Sequence, residues 1–544
     1  MKLVKSLLLG SAAGLTIVAG AQAADLPVRK AAPVEYVRVC STHGAGFFYI
    51  PGTDTCLRVS GRARFQATYM QAYSHAGDLT GYQGLGRLNL DARTATGYGT
   101  LRAFVRFDLA YGTGPFLASG TQRLAGTGFP GQGVDTFGRS ITTVNVDKAF
   151  IQFAGFTAGR AASFFDFYAH DLEFVGSSLG SDIASTNLLA YTATFGQGFS
   201  ATLSVEDPLL RRTPIFGSGT AGSNFVNYQV FTAGAGNFAP VLGTNGLGQP
   251  IIADYDVVQR QRLPDFVGAL RYDAAWGSAQ VSAAVHEINT ANAASVRGIA
   301  GVSTANAIAP RPSTDYGWAV QGGLKLNLPF VAAGDLLYLQ GSYGEGALRY
   351  TGYNAWLGGY TASATIASGT SLGTSLVDAV VDPITGKLDL SKSWTVSAAY
   401  LHYWAPEWRS AVFGSYGEVS YGKASRANVG LVNQIGGFAT SSLPSPFAVG
   451  YGFSSVLRDT NMIVAGASLI WSPVRDLDIG IEGNYARLAL QSGRVIDQNK
   501  APGFGGANVV NVVNGVPVVA GGGALPTTNA TDTFQIRMRV QRDF

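Results

Sequence analysis

The residues of this chain that could do chemistry are mostly charges set at every second position. Arg62 and Arg64, Arg87 and Arg93, Arg102 and Arg106, and Arg537 and Arg539 each share a parity within a short segment, with apolar residues on the other parity. That spacing puts guanidinium groups on one face of an extended strand and hydrocarbon on the other. A second set is acidic. The stretch GRAASFFDFYAHDLEFVGSSLGSD carries Asp166, Asp171, Glu173 and Asp182 among aromatic and glycine residues. Fixed cations opposite fixed anions across water order that water and separate the paths of positive and negative solutes. Catalysis asks for something else, a nucleophile converging on a base. The five histidines, His43, His75, His170, His286 and His402, are scattered, and no Ser or Asp pattern around His402 suggests a triad, so no enzyme is expected.

Such charges need elements that hold them, and the last fourteen residues, TDTFQIRMRVQRDF, show the kind of element. Phe534, Ile536, Met538, Val540 and Phe544 fall on one parity, and Gln535, Arg537, Arg539, Gln541 and Asp543 on the other. A soluble sheet can alternate in this way too. Here, however, the chain stops on an aromatic with nothing after it to cover the strand edge, whereas a closed membrane barrel leaves no edge. The opposite terminus gives the compartment. Lys2 and Lys5 precede an apolar run from Leu7 to Ala21, and Ala21-Gln22-Ala23 is a small-x-small cleavage site, so residues 1–23 are expected to be a secretory signal peptide. In an oxidising compartment Cys40 and Cys56 are expected to form a disulfide. With His43 between them they fall short of a four-ligand metal site, and no metal or other cofactor is expected.

Beyond residue 23 no run of eighteen apolar residues exists to make a transmembrane helix. The chain is instead rich in glycine (71), phenylalanine (30) and tyrosine (24), with 13% charged residues, the composition of strands that show only alternate residues to lipid. A formal charge of +4 without a Lys/Arg cluster excludes nucleic acid as a partner. Alternating segments run from residue 57 onward: 57–70, 83–95, 100–111, 143–153, 156–160, 188–195, 199–206, 265–274, 278–288, 315–328, 335–346, 392–404, 409–421, 461–472, 476–490 and 531–544. Seven short turns, among them Trp276-Gly277, Pro329, Pro406 and Pro473, alternate with eight longer loops, giving fifteen connections and sixteen strands. The predicted fold is therefore all-β: a transmembrane antiparallel β-barrel over 57–544, with short periplasmic turns and long extracellular loops, preceded by a periplasmic-side segment 24–56. Trp276, Trp404, Trp408 and Trp471 beside the turns fit one interfacial belt. The longer loops, rich in Ala, Gly, Ser, Thr and Asn, are too weakly apolar for separate domains and read as surface loops.

A barrel of this size encloses water, which can solvate inward charges. Closure sets the last strand beside the first, so the eight arginines are expected to form one basic wall. The terminal Phe resembles the C-terminal signature of bacterial outer-membrane barrels. A Gly-Arg at a strand end followed by an aromatic and acidic loop resembles the third loop of general bacterial porins. The segment VCSTHGAGFFYIPGTDTCLRVSGRARF is similar to the porins of alphaproteobacteria. The resemblance implies a homotrimer in the outer membrane of a Gram-negative bacterium, in contact with lipid and lipopolysaccharide and inserted by the barrel assembly machinery. It implies passive diffusion of small hydrophilic solutes and ions, with the loop at about 161–187 folded into the lumen so that its carboxylates face the arginines. A substrate-specific channel, for sugars for example, would use a track of inward aromatics. Phe104, Phe150 and Tyr338 are the candidates, on separated strands. An adhesin carried on its barrel would place recognition in the loops.

Overall fold

The computed structural model describes residues 38–71, 79–114, 140–182, 185–213, 215–216, 241–244, 250–255, 261–289, 293–298, 314–353, 372, 376–382, 385, 387–435, 443–501 and 503–544. Residues 1–23 and the start of the 24–56 segment lie outside them. One sheet of seventeen strands dominates, and its two-residue member, Phe48–Tyr49, merely extends the first long strand. The other sixteen are β1 (Thr55–Met70), β2 (Thr80–Thr96), β3 (Gly99–Thr113), β4 (Ser140–Phe153), β5 (Phe156–Ala161), β6 (Thr186–Phe195), β7 (Phe199–Glu206) and β8 (Asp265–Ala274), then β9 (Gly277–Ile288), β10 (Asp315–Asn327), β11 (Leu336–Glu345), β12 (Lys392–Ala405), β13 (Trp408–Ser420), β14 (Thr460–Val474), β15 (Leu477–Leu490) and β16 (Ala530–Asp543). Each pairs antiparallel with its neighbours in sequence. The ring closes where β16 meets β1, from Arg62 opposite Asp543 to Met70 opposite Gln535.

The period of two sorts the side chains as a barrel in lipid requires. On β1, Val59, Phe65 and Tyr69 are 46%, 45% and 42% exposed, while Gln66 and Thr68 on the other face are 2% and 4% exposed. Polar residues fill the inside and apolar ones the outside, the reverse of a soluble sandwich. The arginine side of the first hairpins points into the lumen. Short connections collect at one end: 97–98, 154–155, 196–198, 275–276, 328–335, 406–407 and 475–476. One of the two-residue turns, Ala154-Gly155, has φ of 49° and 88°, the left-handed pair that matches strand twist in a two-residue hairpin.

Two expectations need correcting. Pro473 is not the turn between β14 and β15. It lies inside β14 where the register shifts between Trp471 and Val474, and the turn is Arg475-Asp476, with Asp476 at φ 63°. A residue without an N–H is tolerated in a strand at such an irregularity. The long connections, too, are more than surface loops. Leu348, Leu376, Val377 and Val380 after β11, Val429 and Leu457 after β13, and Val495 after β15 share one buried apolar core with Leu179 from the loop after β5. A helix, α1 (Lys423–Ile435), and a three-stranded patch joining Ile215–Phe216, Ala379–Val381 and Leu388–Leu390 belong to this cap. Its apolar residues arrive one or two at a time among Gly, Ser and Thr, with no period for a sequence pattern to register.

At the short-turn end Cys40 and Cys56 form the expected disulfide, with Cα atoms 6.0 Å apart. Phe47 packs on it and carries the Arg93 guanidinium 4.9 Å from its ring centre. Nearby, the chain terminus is seated by Gly61. Gly61 N–H donates to Phe544 O at 2.8 Å, and Phe544 N–H donates back to Gly61 O at 3.0 Å. A methyl group at position 61 would press on the Phe544 ring and stand 2.6 Å from Arg87 O. Gly61→Ala is therefore expected to destabilise the barrel by about 1–3 kcal/mol, the usual penalty for overpacking. A lower midpoint of urea unfolding in vesicles is the readout, and an unchanged midpoint would show that the terminal ring moves aside freely.

Candidate functional site

Closure places β16, β1, β2 and β3 side by side, and their inward arginines meet. Arg62, Arg64, Arg87, Arg106, Arg537 and Arg539 line one luminal cavity of about 810 Å³, together with the four loop acids Asp166, Asp171, Glu173 and Asp182. Arg93 and Arg102 do not join them. They sit nearer the short turns and clamp Asp91 between them, at 2.8 and 2.9 Å. Nor is the wall purely basic. Arg87 forks onto Asp108 at 2.6 Å, Arg106 reaches Asp147 at 3.2 Å, Arg62 pairs with Asp543 at 2.5 Å, and Arg409 on β13 pairs with Asp478 at 2.7 Å. Guanidinium groups stacked this closely repel one another, and interleaved carboxylates hold them in place.

Asp147 and Lys148 were not legible as luminal residues. The register of β4 against β3 shifts between Arg106 and Phe107, whose partners are Lys148 and Val146. Val146 points outward before the bulge and Ile151 after it, at 42% and 55% exposure, so both intervening charges turn inward. Strict alternation would have sent one of them into lipid.

The loop between β5 and β6 lies along the inner wall. Phe165 O accepts from Ser282 Oγ at 2.7 Å and Gln321 Nε2 at 2.9 Å, on β9 and β10. Tyr168 N–H donates to Gln340 Oε1 on β11 at 2.9 Å, and Leu179 N–H to Ser415 Oγ on β13 at 2.7 Å. Farther round, Glu482 on β15 accepts from two successive amides, Phe174 N–H at 2.6 Å and Val175 N–H at 2.9 Å. Arg539 then donates to Phe174 O at 2.6 Å with its guanidinium 4.3 Å from the Phe174 ring centre. The loop thus covers the β9–β15 side, touches β16 at Arg539, and leaves open space between itself and the arginines of β1 to β3.

The four acids of this loop have different fates. Glu173 does not face the arginines across water. Its side chain is 0% exposed, and it accepts from Tyr168 Oη at 3.0 Å, Ser177 N–H at 2.7 Å and Ser178 N–H at 3.0 Å, beside His170 Nδ1 at 3.1 Å. Burial works against its charge, but His170 and the hydrogen bonds from Ser178 hold the carboxyl below its usual range. Burial likewise opposes the His170 imidazolium, yet the Glu173 carboxylate prevails and lifts it to about 9. The pair is an internal clasp. Asp166 is bound at 2.8 Å to Arg211, a fully buried residue from the connection after β7. That leaves Asp171, exposed and 3.4 Å from Tyr338 Oη, and Asp182, half-buried. Burial, with Asp166 and Asp171 adding to it against the opposing pull of His170, pushes the Asp182 carboxyl up to about 7.

The inward aromatics form two separate groups. Phe104 and Phe150 are direct partners on adjacent strands, contrary to expectation, with ring centres 5.3 Å apart. Tyr338 belongs to another group, 6.0 Å from Phe167 and 4.9 Å from Tyr168. His402 faces outward and meets Asp335 at 2.7 Å, away from the cavity.

Two outcomes follow for the loop. Raising the pH from 6 to 8 deprotonates Asp182, adds a negative charge and should move the reversal potential of a salt gradient toward cation preference; Asp182→Asn should lack that step. The His170–Glu173 clasp is intact below the ordinary histidine range and is lost as pH climbs through about 9. Single-channel current noise should therefore grow above that pH, and Glu173→Gln should show the same noise at neutral pH. A quiet Glu173→Gln channel would mean that the clasp does not hold the loop.

The sequence matches the family described as Porin subfamily over residues 25–516. It is 31% identical over 367 residues to Porin Omp2b of Brucella suis, covering 63% of this chain and 86% of that protein. Porin Omp2b of Brucella abortus (strain 2308) matches at the same identity over 368 residues, again 63% of this chain and 86% of that protein. Among solved structures, the outer membrane channel DcaP of Acinetobacter baumannii overlaps 91% of this chain and 99% of its own, with a TM-score of 0.46 and 12% identity. The family match spans nearly the whole barrel, whose outside is apolar and whose lumen is charged: the chain belongs to the porin subfamily, a diffusion channel of the Gram-negative outer membrane.

Proposed function

We propose that the narrowest section of this channel lies between the loop at about 161–187 and the arginines of β1 to β3, and that it passes small hydrophilic solutes and ions by size and charge. The observation that carries this reading is the anchoring of the loop by Glu482 on β15 and Arg539 on β16, which leaves Asp171 and Asp182 across open space from Arg62, Arg64, Arg87 and Arg106 on β1 to β3. Opposed fixed charges at close quarters make a transverse field, strongest where water is scarce. Charges already paired within the wall cancel at range, so the acids outside ion pairs set the balance. The work is diffusion, without catalysis or cofactor. The short-turn end is periplasmic, the disulfide-closed part of 24–56 sits at that mouth, and residues 1–23 are removed on export. The native unit is a homotrimer among lipid and lipopolysaccharide, reached through the barrel assembly machinery.

Asp171→Asn should shift the reversal potential in planar bilayers toward anions while leaving the barrel folded. A potential identical to that of the parent channel would remove Asp171 from the constriction. In the same bilayers current should scale with salt, and saturable block by one sugar would instead favour a substrate-specific channel.

A further inference from the structure

The inner loop does not cover the whole of the wall on which it lies. Two rows of inward side chains cross β8 to β11 there. In the row that carries the loop, Arg271, Gln280, Gly323 and Gln340 are successive partners. Gln280 Nε2 donates to Phe164 O at 3.2 Å, and the Phe167 ring fills the space that a side chain at Gly323 would take. One step nearer the short turns, Asp273, Ser278, Lys325 and Tyr338 are partners in the same way. Of these four, Tyr338 alone bonds to the loop among the described residues. A ledge is left on the short-turn side of the loop, facing the lumen.

Opposite charges stand at this ledge without meeting. Lys325 Nζ is 5.3 Å from the centre of the Tyr338 ring, within reach of a cation–π contact. Tyr338 Oη donates to Asp171 Oδ2 at 3.4 Å. The ring between them is 7% exposed and packs 4.9 Å from Tyr168, so it is a fixed spacer. Among the described residues neither Lys325 nor Asp171 has an ion-pair partner, whereas Arg271 is answered by Asp273 at 2.8 Å. Ser278, between Asp273 and Lys325, is 3% exposed, and its Oγ has no hydrogen-bond partner among the described residues. Beside them the half-buried Phe167 ring, 6.0 Å from Tyr338, offers apolar surface. The other inward pair of rings is unlike this one. Arg102 and Arg106 flank Phe104, and Asp91 and Asp147 already neutralise them.

A cation and an anion held apart next to an apolar ring are the complement of a dipolar solute. We propose that this ledge is a seat for zwitterionic α-amino acids with an apolar side chain: Lys325 takes the carboxylate, Asp171 the ammonium and Phe167 the side chain. The inference rests on the outer-membrane channel reading and names one class of solute held on its way through. The bound carboxylate would also give Ser278 Oγ an acceptor. A simple anion gains Lys325 but is repelled by Asp171, and a simple cation meets the reverse, so charge pattern selects where size does not. Both charges are set in place before the solute arrives, which lowers the ordering cost of binding.

The probe is L-phenylalanine in single-channel recordings of the full-length protein in planar bilayers with potassium chloride. N-acetylphenylalanine lacks the ammonium and phenylalanine amide lacks the carboxylate, at nearly the same size. The expected result is saturable interruption of the current by phenylalanine, with dwell times several-fold longer than for either analogue. Lys325→Gln should shorten the phenylalanine dwell several-fold and leave the salt conductance unchanged, because Lys325 does not line the cavity between the loop and the arginines. A dwell as long for either analogue, which needs no variant to measure, would overturn the proposal. So would an unaltered dwell in Lys325→Gln, or the absence of any interruption or excess current noise. Salt conductance keeps the two readings apart: a channel that conducts salt and ignores phenylalanine loses the seat alone, and one that conducts nothing loses both.

Discussion

Every other feature of this protein depends on the closure of the sheet at the seam between β16 and β1. A backbone amide or carbonyl left without a partner in hydrocarbon costs several kcal/mol, whereas an ordinary hydrogen bond in water contributes about 1 kcal/mol net. The seam runs over nine opposed pairs, from Arg62–Asp543 to Met70–Gln535. An open sheet of the same sequence would expose both edges at once, so the penalty for failing to close exceeds what any single side-chain contact contributes. The Arg62–Asp543 ion pair and the reciprocal bonds between Gly61 and Phe544 sit at one end of that seam and fix its register.

Closure also decides what the lumen can be. Because lipid takes the apolar parity, most polar side chains of the sixteen strands are turned inward, and the interior cannot pack like a soluble core. The arginines persist there because carboxylates are threaded between them: Asp108 and Asp147 against Arg87 and Arg106, Asp91 between Arg93 and Arg102. Forked pairs of this kind orient the guanidinium plane as well as neutralising it. Beyond a screening length of roughly 10 Å little of their paired fields remains. The loop acids Asp171 and Asp182 are held in no ion pair among the described residues, which is why the proposed charge balance turns on them.

The strand pattern was legible because lipid imposes it: a period of two, short turns alternating with long loops, and aromatics at the turns. Strand boundaries followed wherever pairing was regular. They failed at the β4 bulge and at Pro473, since one extra residue breaks parity without leaving a mark in composition. The position of Arg62, Arg64, Arg87, Arg106, Arg537 and Arg539 on one cavity follows from parity plus closure. The departure of Arg93 and Arg102 does not, because height along the barrel is not a matter of parity. Glu173 and Asp166 looked like their neighbours in sequence. Their burial depends on His170 in the same loop and on Arg211, forty-five residues beyond Asp166, and such contacts lie beyond any local pattern. The loop cap escaped notice for the same reason, its core being assembled from residues hundreds of positions apart.

That cap bears on how still the inner loop stands. Leu179 of the inner loop is part of the cap's apolar core, and a Cβ on Gly352 would press on the Gly180 backbone, so the two segments touch main chain to main chain. Moving the loop off the wall would break the two amide bonds to Glu482, the Arg539 bond to Phe174 O and the buried Arg211–Asp166 pair, besides opening this contact. Hydrogen bonds to charged groups contribute about 1.5–3 kcal/mol each, and a broken buried pair costs more because both charges are left stranded. Excursions of that size are rare at thermal energies. A loop anchored from the wall on one side and from the cap on the other is held still, as the proposed aperture requires.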